Sequence, residues 1–134
     1  MQLKKGLLLS IFLVGLIINY FAVGYLEAQE VIYDKDRIKL LEALFGLYSA
    51  HLGIIISALF LRKNTVKSTS DFTFYIALVL AIIWNFLICN ETINACRLKN
   101  IPYTELIGHW TLTSAIASFL VTGMISYYFN EHAK

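Results

Sequence analysis

Four uninterrupted apolar blocks constrain the fold of this chain more than any other feature of its sequence. They cover residues 6–26, 38–61, 72–89 and 107–129. At a rise of about 1.5 Å per residue, each block as a helix matches the roughly 30 Å hydrocarbon core of a bilayer. The stretch IALVLAIIWNFLIC is apolar at odd and even positions alike, whereas a membrane-spanning strand alternates apolar and polar residues. The pattern therefore predicts an all-α integral membrane protein, a bundle of four transmembrane helices.

The rest of the composition leaves little room for anything else. Of 134 residues, 58% are hydrophobic and 15% are charged, and there is one proline. The longest connection, residues 27–37, is too short to fold by itself. We therefore expect one transmembrane domain over residues 1–134 and no soluble domain. Because no large basic cluster occurs, we expect no nucleic-acid partner.

The first block has an alternative interpretation as a cleaved secretory signal. Lys4 and Lys5 precede it, and cleavage would fall near Ala28, leaving three helices. However, the apolar run is longer than the 7 to 15 residues typical of a signal sequence, and Leu26 fits poorly at the third position before the cut. We expect the block to be a helix of the bundle.

Positive charges indicate the orientation. Basic residues precede helix 1 and separate helices 2 and 3, and such residues favour cytoplasmic loops. We therefore predict a multi-pass protein of the inner or plasma membrane with both ends in the cytoplasm. The bias is slight, because the opposite side carries almost as many basic residues. The first group is Lys4, Lys5, Arg62, Lys63 and Lys67, and the second is Lys35, Arg37, Lys39, Arg97 and Lys99.

Helix 2 carries a row of small and polar residues, which we call the α2 seam: Glu42, Gly46, Ser49, Gly53 and Ser57. At 100° per residue these positions fall within a narrow arc. Gly46 and Gly53 predict close packing against another helix, as in small-xxx-small contacts. The alternative is a water-lined pore face that includes Glu42, Ser49 and Ser57.

Glu42, near the outer end of this helix, has two interpretations. It is close enough in sequence to form an interfacial salt bridge with Arg37 or Lys39. In an oligomer, it would instead be repeated around an axis as a ring that favours cations.

Helix 4 carries hydroxyl groups at Thr111, Ser114, Ser118 and Thr122. Such groups are tolerated in lipid because they bond to carbonyl groups of their own helix. Their continuity over about three turns also makes them candidates to line a pore or substrate path.

Three polar residues lie deeper in the spans. Asn19 and Asn85 are at similar depth, so we predict a hydrogen bond between helices 1 and 3. His51 lies on the opposite side of helix 2 from the α2 seam. We predict that it is neutral and bonded to Asn85 or to a helix 4 hydroxyl, the alternative being a pH-sensitive gate.

Residues with reactive side chains form no recognisable catalytic pattern. Cys89 and Cys96 are candidates for a disulfide, but no Cys-x-x-Cys motif is present. His51 and His109 are too different in depth to ligate one haem. Because no nucleophile, phosphate loop or paired metal ligands are evident, we predict neither a cofactor, nor a metal site, nor an enzyme.

These observations together favour a small channel or pore. Four short helices with several small or hydroxyl-bearing faces favour a homo-oligomer in the bilayer. Such a protein could permeabilise membranes, for example as an effector of bacterial antiviral defence or cell death. The alternative is a non-catalytic accessory subunit that packs against another membrane or cytoplasmic subunit, and an enzyme subunit is a more remote one.

Overall fold

The computed structural model describes residues 2–60, 71–98 and 101–130. It contains four helices: α1 (Gln2–Ala28), α2 (Asp34–Phe60), α3 (Asp71–Leu98) and α4 (Tyr103–Asn130). All four are long and apolar enough to cross a bilayer. The predicted all-α architecture with four candidate spans is confirmed.

The helices are longer than the apolar blocks from which they were predicted. Each has 27 or 28 residues, so at 1.5 Å per residue each is about 40 Å long, more than the roughly 30 Å thickness of a hydrocarbon core. The largest difference is in α3, which continues past the predicted end at residue 89 to Leu98. Two polar residues of this extension contact α4, because Glu91 bonds to His109 and Thr92 to Trp110. The loss of hydropathy after residue 89 therefore does not mark the end of the helix.

The four helices form a bundle in which α1 packs against α2 and α3, and α4 packs against the same two helices. Thus α1 lies diagonally opposite α4, and α2 diagonally opposite α3. Lys5 fixes one end of the bundle: its Nζ donates to the Ala58 carbonyl of α2 at 3.2 Å and lies 5.6 Å from the Phe129 ring centroid of α4. At this end, Lys4 of α1 also forms an ion pair with Asp71 of α3.

The N-terminus of α1 and the C-terminus of α4 therefore lie at the same end of the bundle. Which side of a membrane this end faces stays a prediction. Three of the basic residues behind the cytoplasmic assignment, Arg62, Lys63 and Lys67, lie outside the described residues, as does Lys99 on the opposite side.

The turn between α1 and α2 is closed by a Schellman motif. The Val31 N–H donates to the Leu26 carbonyl at 3.0 Å, and the Glu30 N–H to the Glu27 carbonyl at 2.9 Å. Glu30 takes the left-handed conformation that this motif requires, with φ 56°. Glu27 also binds Arg37 of α2 at 2.7 Å. The short connection thus fixes how α1 and α2 meet and which residues face each other.

Large apolar side chains cover the outside of the bundle as well as its interior. Phe21, Phe86, Ile116 and Phe119 are among many that are exposed. In water such a surface would be unstable, whereas in lipid it is the surface that hydrocarbon tails contact. The informative residues are therefore the polar ones, whether buried in the interior or exposed on this apolar surface.

Candidate functional site

Asn19 of α1 is the centre of a hydrogen-bond network inside the bundle. Its side chain is fully buried. The Nδ2 atom donates to the Gly15 carbonyl at 2.8 Å and to the Tyr48 hydroxyl at 3.3 Å, and it lies 3.1 Å from Cys89 Sγ. The Oδ1 atom accepts a hydrogen bond from the Thr92 hydroxyl. One carboxamide therefore connects α1 to α2 and α3.

Tyr48 connects Asn19 to Asn85. Its hydroxyl accepts from Asn19 and donates to Asn85 Oδ1 at 2.9 Å. The two asparagines are at a common depth, as predicted, but the bond between them runs through the tyrosine. Trp110 brings in the fourth helix, because its Nε1–H donates to Thr92 Oγ1 at 3.1 Å. We call this group the central network: Asn19, Tyr48, Asn85, Cys89, Thr92 and Trp110.

Gly15 allows the central network to form. A Cβ atom at this position would lie 1.8 Å from Asn85 Oδ1 and 2.8 Å from the Tyr48 hydroxyl oxygen. No side chain other than hydrogen fits in that space. The close approach of α1 to α3 therefore depends on one glycine.

His51 belongs to a second buried group, on the side of α2 that faces α4. Its Nε2 atom is 3.3 Å from Ser118 Oγ, and its Nδ1 atom is 3.2 Å from Thr122 Oγ1. Ser118 also bonds to Ser114 at 2.7 Å and accepts from Trp84 Nε1 at 3.1 Å. The predicted bond between His51 and helix 4 hydroxyls is confirmed, and Asn85 is engaged with Tyr48 instead. A gating role for His51 stays a prediction.

Aromatic rings fill the space around these groups. The His51 ring stacks on Phe12, with centroids 5.0 Å apart and an interplanar angle of 27°. The Trp84 ring meets it edge-on at 4.7 Å, and Tyr48 packs against Trp84 at 4.9 Å. Trp84, Trp110 and Tyr48 are completely buried. Within the described residues, the middle of the bundle is packed with side chains.

This packing changes the interpretation of the helix 4 hydroxyl row. Ser114, Ser118 and Thr122 bond to one another or to His51 inside the chain. Thr111 is exposed and bonds to the Ile107 carbonyl of its own helix. Three of these hydroxyls therefore connect α4 to α2 or to one another within a single bundle, and a role of the row in lining a pore stays a prediction.

A matched pair of threonines tests this structural role. We expect Thr122→Val to lower the free energy of unfolding by about 0.5–1.5 kcal/mol, because the substitution removes a bond to buried His51 at nearly constant volume. Thr111→Val should change it by less than about 0.5 kcal/mol, because that hydroxyl bonds only to its own helix. Reversible unfolding in mixed micelles gives both values, and equal effects would contradict the assignment.

The α2 seam lies on the outside of the bundle. Glu42, Gly46, Ser49, Gly53 and Ser57 are all exposed. A Cβ atom at Gly46 or Gly53 would meet nothing within 4 Å, so neither glycine packs against another helix of the chain. The expectation of packing at these glycines is therefore wrong within a single chain. Gly46 and Gly53 remain free to pack against a helix of a second copy of the chain.

Glu42 does not form the expected salt bridge, because the two basic residues near it in sequence bind other partners. Arg37 binds Glu27 at 2.7 Å, and the Lys39 ammonium donates to the Tyr103 hydroxyl at 3.2 Å. In the part of the chain that the structure describes, Glu42 forms no ion pair, since none of the salt bridges there includes it. Its carboxylate is exposed in the N-terminal third of α2.

Cys89 and Cys96 are free thiols, so the disulfide prediction is wrong. Both lie on the continuous helix α3, where seven residues separate their Cα atoms by about 10 Å, too far for a disulfide. The Cys89 thiol is 3.9 Å from the Gly15 carbonyl, and the Cys96 thiol is 3.7 Å from the Ala22 carbonyl. Both cysteines therefore face α1.

His109 is far from His51, at the other end of the bundle from Lys5. Its Nδ1 atom is 3.0 Å from a Glu91 carboxylate oxygen, and its Nε2 atom is 3.9 Å from Glu105. The contact with Glu91 connects α3 to α4 at this end of the bundle. The depth argument that separated the two histidines in the sequence is consistent with this placement.

Comparisons supply no relative from which a role could be transferred: neither a protein-family model, nor a curated protein, nor a solved structure matches this chain. The function must therefore be argued from the residues themselves. Sequence reasoning missed Tyr48, Trp84, Thr92 and Trp110 as members of the buried groups. Tyr48 lies one turn from His51 on the same face of α2, which is the signal that could have revealed it.

Proposed function

We propose that this chain is a small homo-oligomeric membrane channel whose water path runs between copies, along the outer face of α2. The observation that supports the proposal is the distribution of polar groups. The interior is occupied by rings and by hydrogen bonds that are already made, whereas the α2 seam is a continuous exposed row on a surface that carries many large apolar side chains. A path through a single bundle would require these rings to separate.

The dimensions of the α2 seam suit this role. From Glu42 to Ser57 it covers 16 residues, a rise of about 22 Å along the helix, which is most of the hydrocarbon thickness. A monomer would expose this row to lipid. An oligomer that turns α2 toward a common axis would place the row against water, where hydroxyl groups and exposed glycine backbone are stabilised.

Glu42 would give such a path a preference for cations. Its carboxylate is exposed and near the outer end of α2, and an oligomer would repeat it around the mouth. A second polar surface lies on α4, where Ser118, Thr122 and Ser126 border a groove with Phe119 and Gly123. This surface is available for contact between neighbouring copies.

A channel of this kind would permeabilise the membrane, and its biological role would then include that of an effector in bacterial defence or cell death. The second candidate is a non-catalytic subunit of a larger membrane complex. The exposed glycines of the α2 seam favour it, because a helix of another protein could pack there as closely as a helix of a second copy.

A matched serine pair tests the channel. Ser49 and Ser10 are both exposed, and each donates to a carbonyl of its own helix, at 2.7 Å to Gly46 and 2.9 Å to Gly6. In liposomes containing the purified protein, we expect Ser49→Leu to reduce cation flux by roughly tenfold or more. The leucines of the neighbouring copies would surround the path, and such an apolar constriction excludes water. Ser10→Leu, on α1, should leave flux unchanged.

The same liposomes distinguish the two candidates. A stable homo-oligomer that conducts cations, with the preference reduced in Glu42→Gln, supports the channel. A correctly folded protein that gives no flux at any protein density would contradict the channel and favour the accessory subunit.

A further inference from the structure

Ser118 of α4 and His51 of α2 bring a hydroxyl group and an imidazole within hydrogen-bond distance. Ser118 Oγ lies 3.3 Å from His51 Nε2, and the two residues are 67 positions apart in the chain. A serine beside an imidazole, with the imidazole oriented by a third group, is the arrangement of an activated nucleophile in acyl transfer. The separation along the chain explains why the sequence showed no such pattern.

Thr122 supplies the third group. Its Oγ1 atom is 3.2 Å from His51 Nδ1. A neutral imidazole carries one N–H, and when this N–H donates to Thr122, Nε2 is left to accept the proton of Ser118. Phe12 stacks on the imidazole with ring centroids 5.0 Å apart, and the face of an aromatic ring stabilises a neighbouring cation. The imidazole is therefore placed both to take a proton and to hold it.

Two further hydrogen-bond donors converge on the Ser118 oxygen. Trp84 Nε1–H donates to it at 3.1 Å, and Ser114 Oγ lies 2.7 Å from it. When the Ser118 hydroxyl donates to His51, Ser114 is the donor in the bond that the two serines share. Both donors thus lie beside the atom that would attack a carbonyl group. Donors in that position can stabilise the negative charge that develops on the carbonyl oxygen.

A groove on the outer surface of α4 gives access to Ser118. Its volume is about 450 Å³, within the range of small-molecule sites. Ser118 and Thr122 are half-buried in it, whereas Phe119 is 81% exposed at its edge. The groove therefore opens toward the surrounding lipid. Ser126 continues the hydroxyl lining along α4 for about 12 Å from Ser118, toward the C-terminal end of that helix.

We propose that Ser118 is the nucleophile and His51 the base of an esterase site that takes neutral, lipid-soluble esters from the bilayer. None of the residues that line the groove is ionised, so a charged group would lose its hydration there without a counter-charge. The group that orients the imidazole is a hydroxyl and not a carboxylate, which favours an ester over an amide because an alcohol is the better leaving group. The inference is independent of the proposed channel.

The reaction has two steps, and water is the second reactant. In the first step, the Ser118 proton passes to His51 Nε2, Ser118 Oγ bonds to the ester carbonyl carbon, and the alcohol leaves with the proton from His51. In the second step, a water molecule gives a proton to His51 and bonds to the acyl carbon, the bond to Ser118 breaks, and Ser118 regains the proton. The products are an alcohol and a carboxylic acid.

Labelling with a lipid-soluble alkyl fluorophosphonate tests the nucleophile. This probe bonds to an activated serine oxygen with loss of fluoride. The full chain is reconstituted in vesicles of a diether phosphatidylcholine, which contains no ester, and the labelled peptide is identified by mass spectrometry. We expect label on Ser118, together with hydrolysis of 4-nitrophenyl decanoate above the rate in empty vesicles.

Three variants distinguish a reactive serine from an exposed one. His51→Gln keeps groups that hydrogen-bond to the two hydroxyls but removes the base, so it should reduce labelling and hydrolysis by at least about tenfold. Ser118→Ala should abolish both. Thr111→Val is the control, because Thr111 belongs to the same hydroxyl row but is exposed and bonds to its own helix. It should leave both unchanged, with all three variants folded by circular dichroism.

Three outcomes would overturn the proposal. Absence of label from Ser118 in the unsubstituted protein would show that its oxygen is not activated, whether or not the variants fold. Label spread over the exposed serines of the chain would show reaction by exposure alone. Labelling and hydrolysis that persist in folded His51→Gln would show that the imidazole is not the base.

Discussion

Gly15→Ala is expected to lower the free energy of unfolding by about 2–4 kcal/mol, a large effect for one methyl group. The new Cβ would lie 1.8 Å from Asn85 Oδ1 and 2.8 Å from the Tyr48 hydroxyl oxygen. To relieve the clash, α3 must move away from α1 or Asn85 must rotate. Either response breaks the bond between Tyr48 and Asn85 in surroundings where water does not replace it. Tryptophan fluorescence during unfolding in mixed micelles measures the loss, since Trp84 and Trp110 are buried nearby.

Gly24→Ala is the matched control on the same helix. A Cβ atom at Gly24 would meet nothing within 4 Å, and alanine is the better helix former by about 1 kcal/mol. We therefore expect Gly24→Ala to be neutral or stabilising. If the two variants unfolded at the same denaturant concentration, the close approach of α1 to α3 at Gly15 would be contradicted.

Asn19→Leu is expected to lower the free energy of unfolding by about 2–3 kcal/mol. Leucine has the same branching and number of side-chain heavy atoms but removes the hydrogen bonds of the carboxamide with Gly15, Tyr48, Cys89 and Thr92. A single hydrogen bond between membrane helices contributes about 0.6 kcal/mol on average, so removing all of these bonds at once explains an effect of this size. The same unfolding assay measures it.

Two controls distinguish the loss of the central network from the effect of introducing a leucine at any position. Asn90 is exposed on α3, so Asn90→Leu should change the free energy of unfolding by less than about 0.5 kcal/mol. Tyr48→Phe removes a hydroxyl that Asn19 shares with Asn85. The effects of Tyr48→Phe and Asn19→Leu should therefore be non-additive in the double variant. Additive effects would show that the two residues do not act as one network.

The helical architecture could be predicted from the sequence because the length and hydropathy of the apolar blocks leave few alternatives in a bilayer. The ends of the helices could not be predicted in this way. The segment after residue 89 loses its hydropathy, yet α3 continues to Leu98 because Glu91 and Thr92 find partners on α4. The end of α3 therefore depends on its contact with α4, which cannot be predicted from the local composition of the segment.

The polar groups were predictable in part. Depth indicated that Asn19 and Asn85 share a level, and His51 was expected to bond to Asn85 or to a helix 4 hydroxyl, of which the structure shows the second. Periodicity did not reveal that Tyr48 bridges the asparagines, since an aromatic residue is equally compatible with a packed core or a membrane interface.

Glycines show most clearly what periodicity leaves undecided. Gly46 and Gly53 have the spacing of a packing motif but are exposed within the chain, whereas a Cβ atom at Gly15 would clash with Asn85 and Tyr48. A row of small residues fits an interior contact, a contact between copies or a water-lined face. Only the positions of the other helices distinguish these arrangements.

Accessibility of single cysteines to a charged, membrane-impermeant methanethiosulfonate tests whether the path runs between copies or through the packed bundle. In a Cys89→Ala, Cys96→Ala background, Ser49→Cys places a thiol on the exposed α2 seam, and Ser114→Cys places one in the buried group beside Ser118. We expect the reagent to block cation flux through Ser49→Cys liposomes and to leave Ser114→Cys flux unchanged. Block of Ser114→Cys with no effect on Ser49→Cys would place the path inside the bundle and contradict the account.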